Sequence, residues 1–317
     1  MFRIAVLDDY QQVALAMADW TVLAGRAEVV PFTDHLDDED QLVARLAQFD
    51  AVVLMRERTP MPARVLERLP QLRLIATSGA ANAALDVDAA RRVGITVCGT
   101  TGWAGVTATV ELTWGLILAV SRQIPREDAA IRAGRWQVGV GTTLQGTVLG
   151  IVGLGNIGPL LVPVARAFGM DVVAWSRNLT DARAAEVGVR RLDHDAFFAA
   201  SDVVTVHLKL SDRSRGYIGR DELRAMKPTA RLVNTSRGPV VDEAALVDAL
   251  EQGWIVGAAL DVFDPEPLPP GHPLLTAPNT VLTPHIGYVS HESYRQYFPQ
   301  IVEDIDAYLR GAPIRVL

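Results

Sequence analysis

Cysteine is nearly absent: the chain has one, Cys98, in 317 residues. That excludes an internal disulfide framework and any paired-cysteine metal site. The run GITVCG around it reads as the setting of a buried structural thiol. Basic residues are outnumbered, 30 Lys and Arg against 37 Asp and Glu, giving a formal net charge of −7. No basic face for nucleic acid is expected, so any phosphate must be held locally. Aromatics are sparse at 6%, but apolar residues reach 49%, enough core for two domains. The opening MFRIAVLDDY starts directly as a strand, without a cationic stretch and long apolar run. This argues against a secretory signal and for a cytoplasmic protein. The segment 136–165 carries no formal charge, but its seven glycines and two prolines, with Gln145 and Asn156, argue against a membrane span. The acidic group Asp34, Asp37, Asp38, Glu39 and Asp40 reads as a helix start, and no metal site is expected.

Short β-branched runs alternate with helical patterns along the chain. RIAVLDD, AEVVPF, AVVLM, LRLIATSG and ITVCG read as strands, with DEDQLVARLAQ and PARVLERL as helices between them. This alternation predicts parallel βαβ units. After residue 100 comes a long apolar stretch, 107–124, expected as a buried helix linking two domains. A second series follows in TVLGIVG, DVVAWS, DVVTVHL, ARLVNTS, IVGAALDVF and TVLTPHIG, and the last helix, YRQYFPQIVEDIDAYLRG, is expected to return to the first domain.

The stretch GIVGLGNIGPLL, 150–161, joins a strand to a helix through Gly153-x-Gly155-x-x-Gly158. Glycine within either element costs roughly 0.5–1 kcal/mol relative to alanine. A dinucleotide explains that cost: Gly153 makes the tight turn, Gly155 lets backbone approach a pyrophosphate, and Gly158 packs the helix on the strand. The helix start would then offer its N–H groups to the phosphates. Pro159 suits that start, whereas Pro163 is expected to kink the helix. The second strand of such a unit usually ends in an acid that holds the ribose hydroxyls. Here Ser176 and Arg177 stand instead, which suits a 2′-phosphate and favours NADP(H).

Three later strands end in polar clusters containing Arg237, Glu266 and His285. In an open α/β sheet, ligands bind beyond the carboxyl ends of the strands. A cation, an acid and an imidazole beside a nicotinamide are the parts needed for carbonyl reduction.

With GLGNIG, VNTSRGPVVDEAAL, ALDVFDPEPLP and LTPHIG in order, the chain resembles the D-isomer-specific 2-hydroxyacid dehydrogenases over essentially its whole length. The resemblance implies a Rossmann-type doubly wound parallel-sheet domain, 102–287, inserted in a flavodoxin-like substrate domain, 1–101 and 288–317, with the active site between them. It also implies a homodimer built around the cofactor domains. His285 would exchange the proton at the substrate oxygen, Glu266 would orient it and favour its charged form, and Arg237 would bind the substrate carboxylate. The cofactor set would be Gly153, Gly155, Asn156, Ile157, Gly158, Ser176, Arg177, His207, Thr235 and Asp261, with Asp261 meeting the nicotinamide carboxamide. MRERT places Arg56 and Arg58 as substrate partners, and TSGAANAALD places Ala80 and Ala81 in the loop whose backbone N–H groups take the carboxylate. Ala81 and Asn82 stand where many members have Gly and Val, which implies an altered pocket. Lys209 stands where many members have proline.

The expected substrate is a small 2-keto acid such as glyoxylate or hydroxypyruvate, with no nucleic acid or membrane partner. A cofactor-sensing binding protein resembling the corepressors of this fold is the alternative, though no peptide-binding segment stands out. An S-adenosylmethionine-dependent methyltransferase would leave the Arg–Glu–His set without a role.

Overall fold

The βαβ alternation produces two all-parallel sheets in a computed structural model that describes residues 1–317. By internal contacts the chain divides into two units, Met1–Ala104 with Val289–Leu317, and Gly105–Tyr288.

In the first unit the strands are β1 (Phe2–Val6), β2 (Ala27–Pro31), β3 (Ala51–Leu54), β4 (Leu74–Thr77) and β5 (Thr96–Gly99). Their order is β2-β1-β3-β4-β5, the flavodoxin-like arrangement. β3 and β4 are buried along their whole length, so AVVL and LIAT show unbroken apolar runs and no alternation. One face packs Leu46, Phe49, Leu54, Met61 and Ile75 into a single cluster. The helix His291–Leu309 returns to this unit and buries Tyr294, Tyr297, Phe298, Ile301 and Ile305. The tail then pairs with β5: Leu317 N–H donates to Val97 O at 2.9 Å and Gly99 N–H to Arg315 O at 3.0 Å. The acidic group is a helix start, with Asp38 capping Glu39–Leu46 by accepting from Gln41 N–H at 2.9 Å. Cys98 is fully enclosed, and burial pushes its thiol up to about 11, as befits a structural residue.

The second unit holds β6 (Val148–Val152), β7 (Asp171–Trp175), β8 (Arg190–Arg191), β9 (Val203–Val206), β10 (Arg231–Asn234), β11 (Gly257–Leu260) and β12 (Thr280–Leu282). They lie in the order β12-β11-β10-β9-β6-β7-β8, so the winding reverses between β6 and β9. That reversal is the topological switch point where a doubly wound sheet opens a crevice. Apolar clusters cover both faces, one around Phe197, Leu232 and Leu246, the other around Ile117, Ile151 and Leu161.

The long apolar helix runs Ala104–Arg122 and buries Trp114, Leu116, Ile117 and Val120. It stops short of 124 because Gln123 takes a left-handed backbone, φ +54°, and a second helix starts at Ile124. Pro163 does not break Gly158–Ala167. It sits on the exposed face, where water can satisfy the carbonyl that it leaves without a donor.

Candidate active site

In the second unit the turn after β6 shows why its glycines differ in purpose. Gly153 has φ +99°, and a Cβ there would lie 2.8 Å from His207 O. At Gly158 a Cβ would lie 2.5 Å from Gly153 O, so both are required by the protein's own backbone. A Cβ on Gly155 would meet nothing within 4 Å. Gly155 and Asn156 are exposed and Ile157 is half-buried, at the start of the helix Gly158–Ala167. An open glycine at a helix start whose first N–H groups lack intrahelical partners is the cradle that a pyrophosphate fits.

His207 follows β9 beside this turn. Its Nε2 lies 2.8 Å from Thr205 Oγ1, and its buried Nδ1 has no partner. Burial holds the imidazole at a pKa of about 3, so it is neutral. A neutral ring with one orphaned nitrogen also fits a bound cofactor. Ser176 and Arg177 follow β7, half-buried and exposed respectively, and Arg177 makes no ion pair. Lys209 is exposed. Thr235 is enclosed, its Oγ1 2.9 Å from Thr113 Oγ1.

Three further strand ends carry the ionisable groups. After β10, Asn234 shapes the turn: its Oδ1 accepts from Ser236 N–H and its Nδ2 donates to Arg237 O, both at 3.0 Å. Arg237 Nη1 donates to Ser236 O at 2.7 Å. Gly238 lies so close to the segment after β11 that a Cβ would stand 2.1 Å from Phe263 C. On that segment Glu266 uses one oxygen to accept from Phe263 N–H at 2.8 Å. Its other oxygen lies 2.6 Å from His285 Nδ1. Because the carboxylate can only accept, Nδ1 carries the hydrogen and Nε2 is left for a ligand. His285 has φ +51°, a conformation that costs a non-glycine residue about 1–3 kcal/mol and persists only where its surroundings enforce it.

Asp261, at the end of β11, does that enforcing. It is fully buried and accepts from Thr283 Oγ1 at 2.6 Å, Ile286 N–H at 2.8 Å and Gly287 N–H at 2.8 Å. Its carboxylate therefore grips the two sides of the His285 turn. These three donors give Asp261 a bracing role and leave one acceptor position on Oδ2, where the expected carboxamide contact would fall.

In the first unit the expected substrate residues gather at the carboxyl edge of the sheet. Arg56 has φ +55°, its N–H donates to Ser78 Oγ at 2.9 Å, and its guanidinium lies where a Cβ on Gly79 would be, 1.9 Å from Nη1. Arg58 donates from Nη1 to Asp8 O at 3.0 Å and stacks over the Tyr10 ring. Asp8 is buried and ties His35 Nδ1, at 2.8 Å, to Thr59 Oγ1, at 2.6 Å. Ala80 and Ala81 are exposed in the loop after β4. Asn82 turns inward, its Nδ2 donating to Arg56 O at 2.7 Å and to Thr77 Oγ1 at 3.0 Å. That replacement therefore changes the loop's support and adds no side chain to the open edge. Asn234, Thr283, Asp8 and Ser78 are the supporting residues that strand-end reasoning passes over.

Comparison with known proteins agrees with the fold. Residues 114–287 match the NAD-binding domain model of the D-isomer specific 2-hydroxyacid dehydrogenases. A glyoxylate reductase of Aeropyrum pernix is 37% identical over 282 residues, covering 86% of this chain and 83% of the relative. A D-3-phosphoglycerate dehydrogenase of Bacillus subtilis is 33% identical over 88% of this chain, which spans only 52% of that longer protein. Among solved structures, a phosphoglycerate oxidoreductase of Vibrio cholerae superposes with a TM-score of 0.92 at 39% identity, covering 98% of this chain and 100% of that one. The chain belongs to the D-isomer specific 2-hydroxyacid dehydrogenase family.

Proposed function

We propose that this protein is a nicotinamide-dependent reductase of small 2-keto acids, in the glyoxylate or hydroxypyruvate class, with NADP(H) preferred. The observation that carries the reading is the 2.6 Å contact of Glu266 with His285 Nδ1, which leaves Nε2 available at the carboxyl edge that also holds the glycine turn. The bound nicotinamide would supply the hydride for carbonyl reduction and take it back in the reverse direction.

The rest follows from the chain's own groups. His285, protonated at both nitrogens, gives the Nε2 proton to the substrate oxygen during reduction and recovers it during oxidation. Glu266 fixes the tautomer and stabilises the imidazolium while the second proton is held. Arg237 pairs with the substrate carboxylate through its fork of N–H donors and polarises the neighbouring carbonyl. Asp261 keeps the His285 turn in its left-handed conformation. In the first unit, Arg56 and the exposed backbone of Ala80 and Ala81 offer further donors suited to a carboxylate. The preference for NADP(H) rests on Ser176 and Arg177, a hydroxyl and an unpaired guanidinium where an acid would disfavour a 2′-phosphate.

Nicotinamide absorbance with glyoxylate, hydroxypyruvate, pyruvate and phenylpyruvate, each with both cofactors, tests the reading. Turnover with one of these acids is expected. Cofactor binding without turnover of any acid in the panel favours a cofactor-sensing binding protein.

A further inference from the structure

The helix Glu243–Glu251 starts six residues after Arg237 and is capped by Asp242, which accepts from Ala245 N–H at 3.0 Å. Glu243 is therefore not needed as its own helix's cap. It reaches instead to the segment after β11. One oxygen accepts from Asp264 N–H at 2.9 Å. The other lies 3.4 Å from His272 Nε2. His272 Nδ1 accepts from Leu274 N–H at 3.3 Å, so the ring's proton sits on Nε2 and points at Glu243. Both side chains are largely buried, 14% exposed for Glu243 and 16% for His272.

One carboxylate thus holds the two ends of the loop 264–272, and Glu266 lies between them. The same body includes the Arg237 turn, since Gly238 is in backbone contact with Phe263 and Phe263 N–H is held by Glu266. We propose that Glu243 is a positioning residue for the acid–base pair, clamping the loop at Asp264 and His272 so that Glu266 meets His285 Nδ1. The proposal rests on the reading of Glu266 and His285 given above.

The clamp is also sensitive to protons. Burial, followed by the neighbouring Asp264 and Glu266 charges, pushes Glu243 up to about 7. The groups that face it are Asp264, Glu266 and His272, with Arg215 pairing to Asp264 at 3.4 Å. As a carboxylate, Glu243 accepts from both ends of the loop. Once protonated, its hydroxyl oxygen is a poor acceptor, and one end is released. Activity should therefore fall as pH drops through this value.

The test compares wild type with Glu243→Ala and Glu243→Gln, measuring kcat, KM for the keto acid, cofactor affinity by fluorescence and the pH profile. Misplacement by about 1 Å can cost ~10²-fold, so Glu243→Ala should lower kcat by about tenfold to 10²-fold with cofactor affinity unchanged. Glu243→Gln keeps the Asp264 contact, so it should lose less and lack the acid limb near 7. Should the alanine variant fail to fold, the isosteric glutamine variant decides the question alone. Wild-type kcat and an unchanged acid limb in Glu243→Gln would overturn the proposal. A lowered melting temperature with an unchanged kcat and profile would reduce Glu243 to a structural tie and overturn it equally. His285→Ala is run alongside. Normal turnover in that variant defeats the underlying reading, whereas a dead His285→Ala beside a normal Glu243→Gln defeats only the clamp.

Discussion

His285 combines a left-handed backbone, a hydrogen bond from Nδ1 to Glu266 and a brace from Asp261 within one turn. Removing the ring while leaving that turn in place separates chemistry from binding. His285→Ala and Arg237→Ala should each lower kcat/KM by about 10²–10⁴-fold while cofactor affinity stays near wild type, as read by fluorescence titration. Near-normal rates in either would remove it from the reacting centre. Arg177 tests the cofactor preference by the same logic. A charge-assisted contact to a 2′-phosphate is worth enough that Arg177→Ala should weaken NADPH by about tenfold or more and NADH little. Equal losses would leave no case for the phosphate. The placement of these candidates beyond strand ends was legible from spacing, because such ends converge on one edge of any open sheet. Their supports were not. Asp261 finds its three partners more than twenty residues along the chain, and nothing local says which way its carboxylate turns.

The glycine turn between β6 and its helix is the element whose purpose separates most cleanly by position. Gly153 and Gly158 answer to the protein's own backbone, Gly155 to open space. Gly153→Ala should therefore destabilise the fold by about 1–3 kcal/mol, visible as a lower melting temperature. Gly155→Ala should leave the melting temperature in place and weaken the cofactor, because its methyl group enters only the volume a phosphate would approach. Equal melting temperatures for both variants would contradict this division. The turn was legible as a motif because strand, glycine spacing and helix are all local. The smaller details depended on surroundings. Pro163 survives inside its helix through exposure, and Asn82 turns inward because Arg56 O and Thr77 Oγ1, at the end of β4, receive its amide.

At the scale of the whole molecule, alternation of strand and helix patterns was enough to reveal two parallel sheets, and the return of the last helix followed from the second sheet's being complete without it. What the pattern did not show is how that helix is charged where it packs. Asp304 is fully enclosed, pairs with Arg315 Nε at 2.9 Å and leaves its second oxygen without a partner. Burial outweighs the arginine and pushes its carboxyl up to about 6. A raised carboxylate pKa means that the folded state binds the extra proton between the unfolded value and about 6, so this group's contribution to stability declines as pH rises through that window. Asp304→Asn should accordingly raise the melting temperature by several degrees at pH 8 and change it little near pH 4; a lower value at pH 8 would show that the arginine pair dominates. The same helix and the tail beyond it also impose an order on biosynthesis. β5 receives its edge partner from Arg315–Leu317, and the helix that buries Tyr297 and Ile301 begins only at His291. The unit that leaves the ribosome first is thus the last to be finished: its sheet waits for the final residues of the chain before its helix can cover it and its edge strand can be paired, and until then β5 is open to other strands.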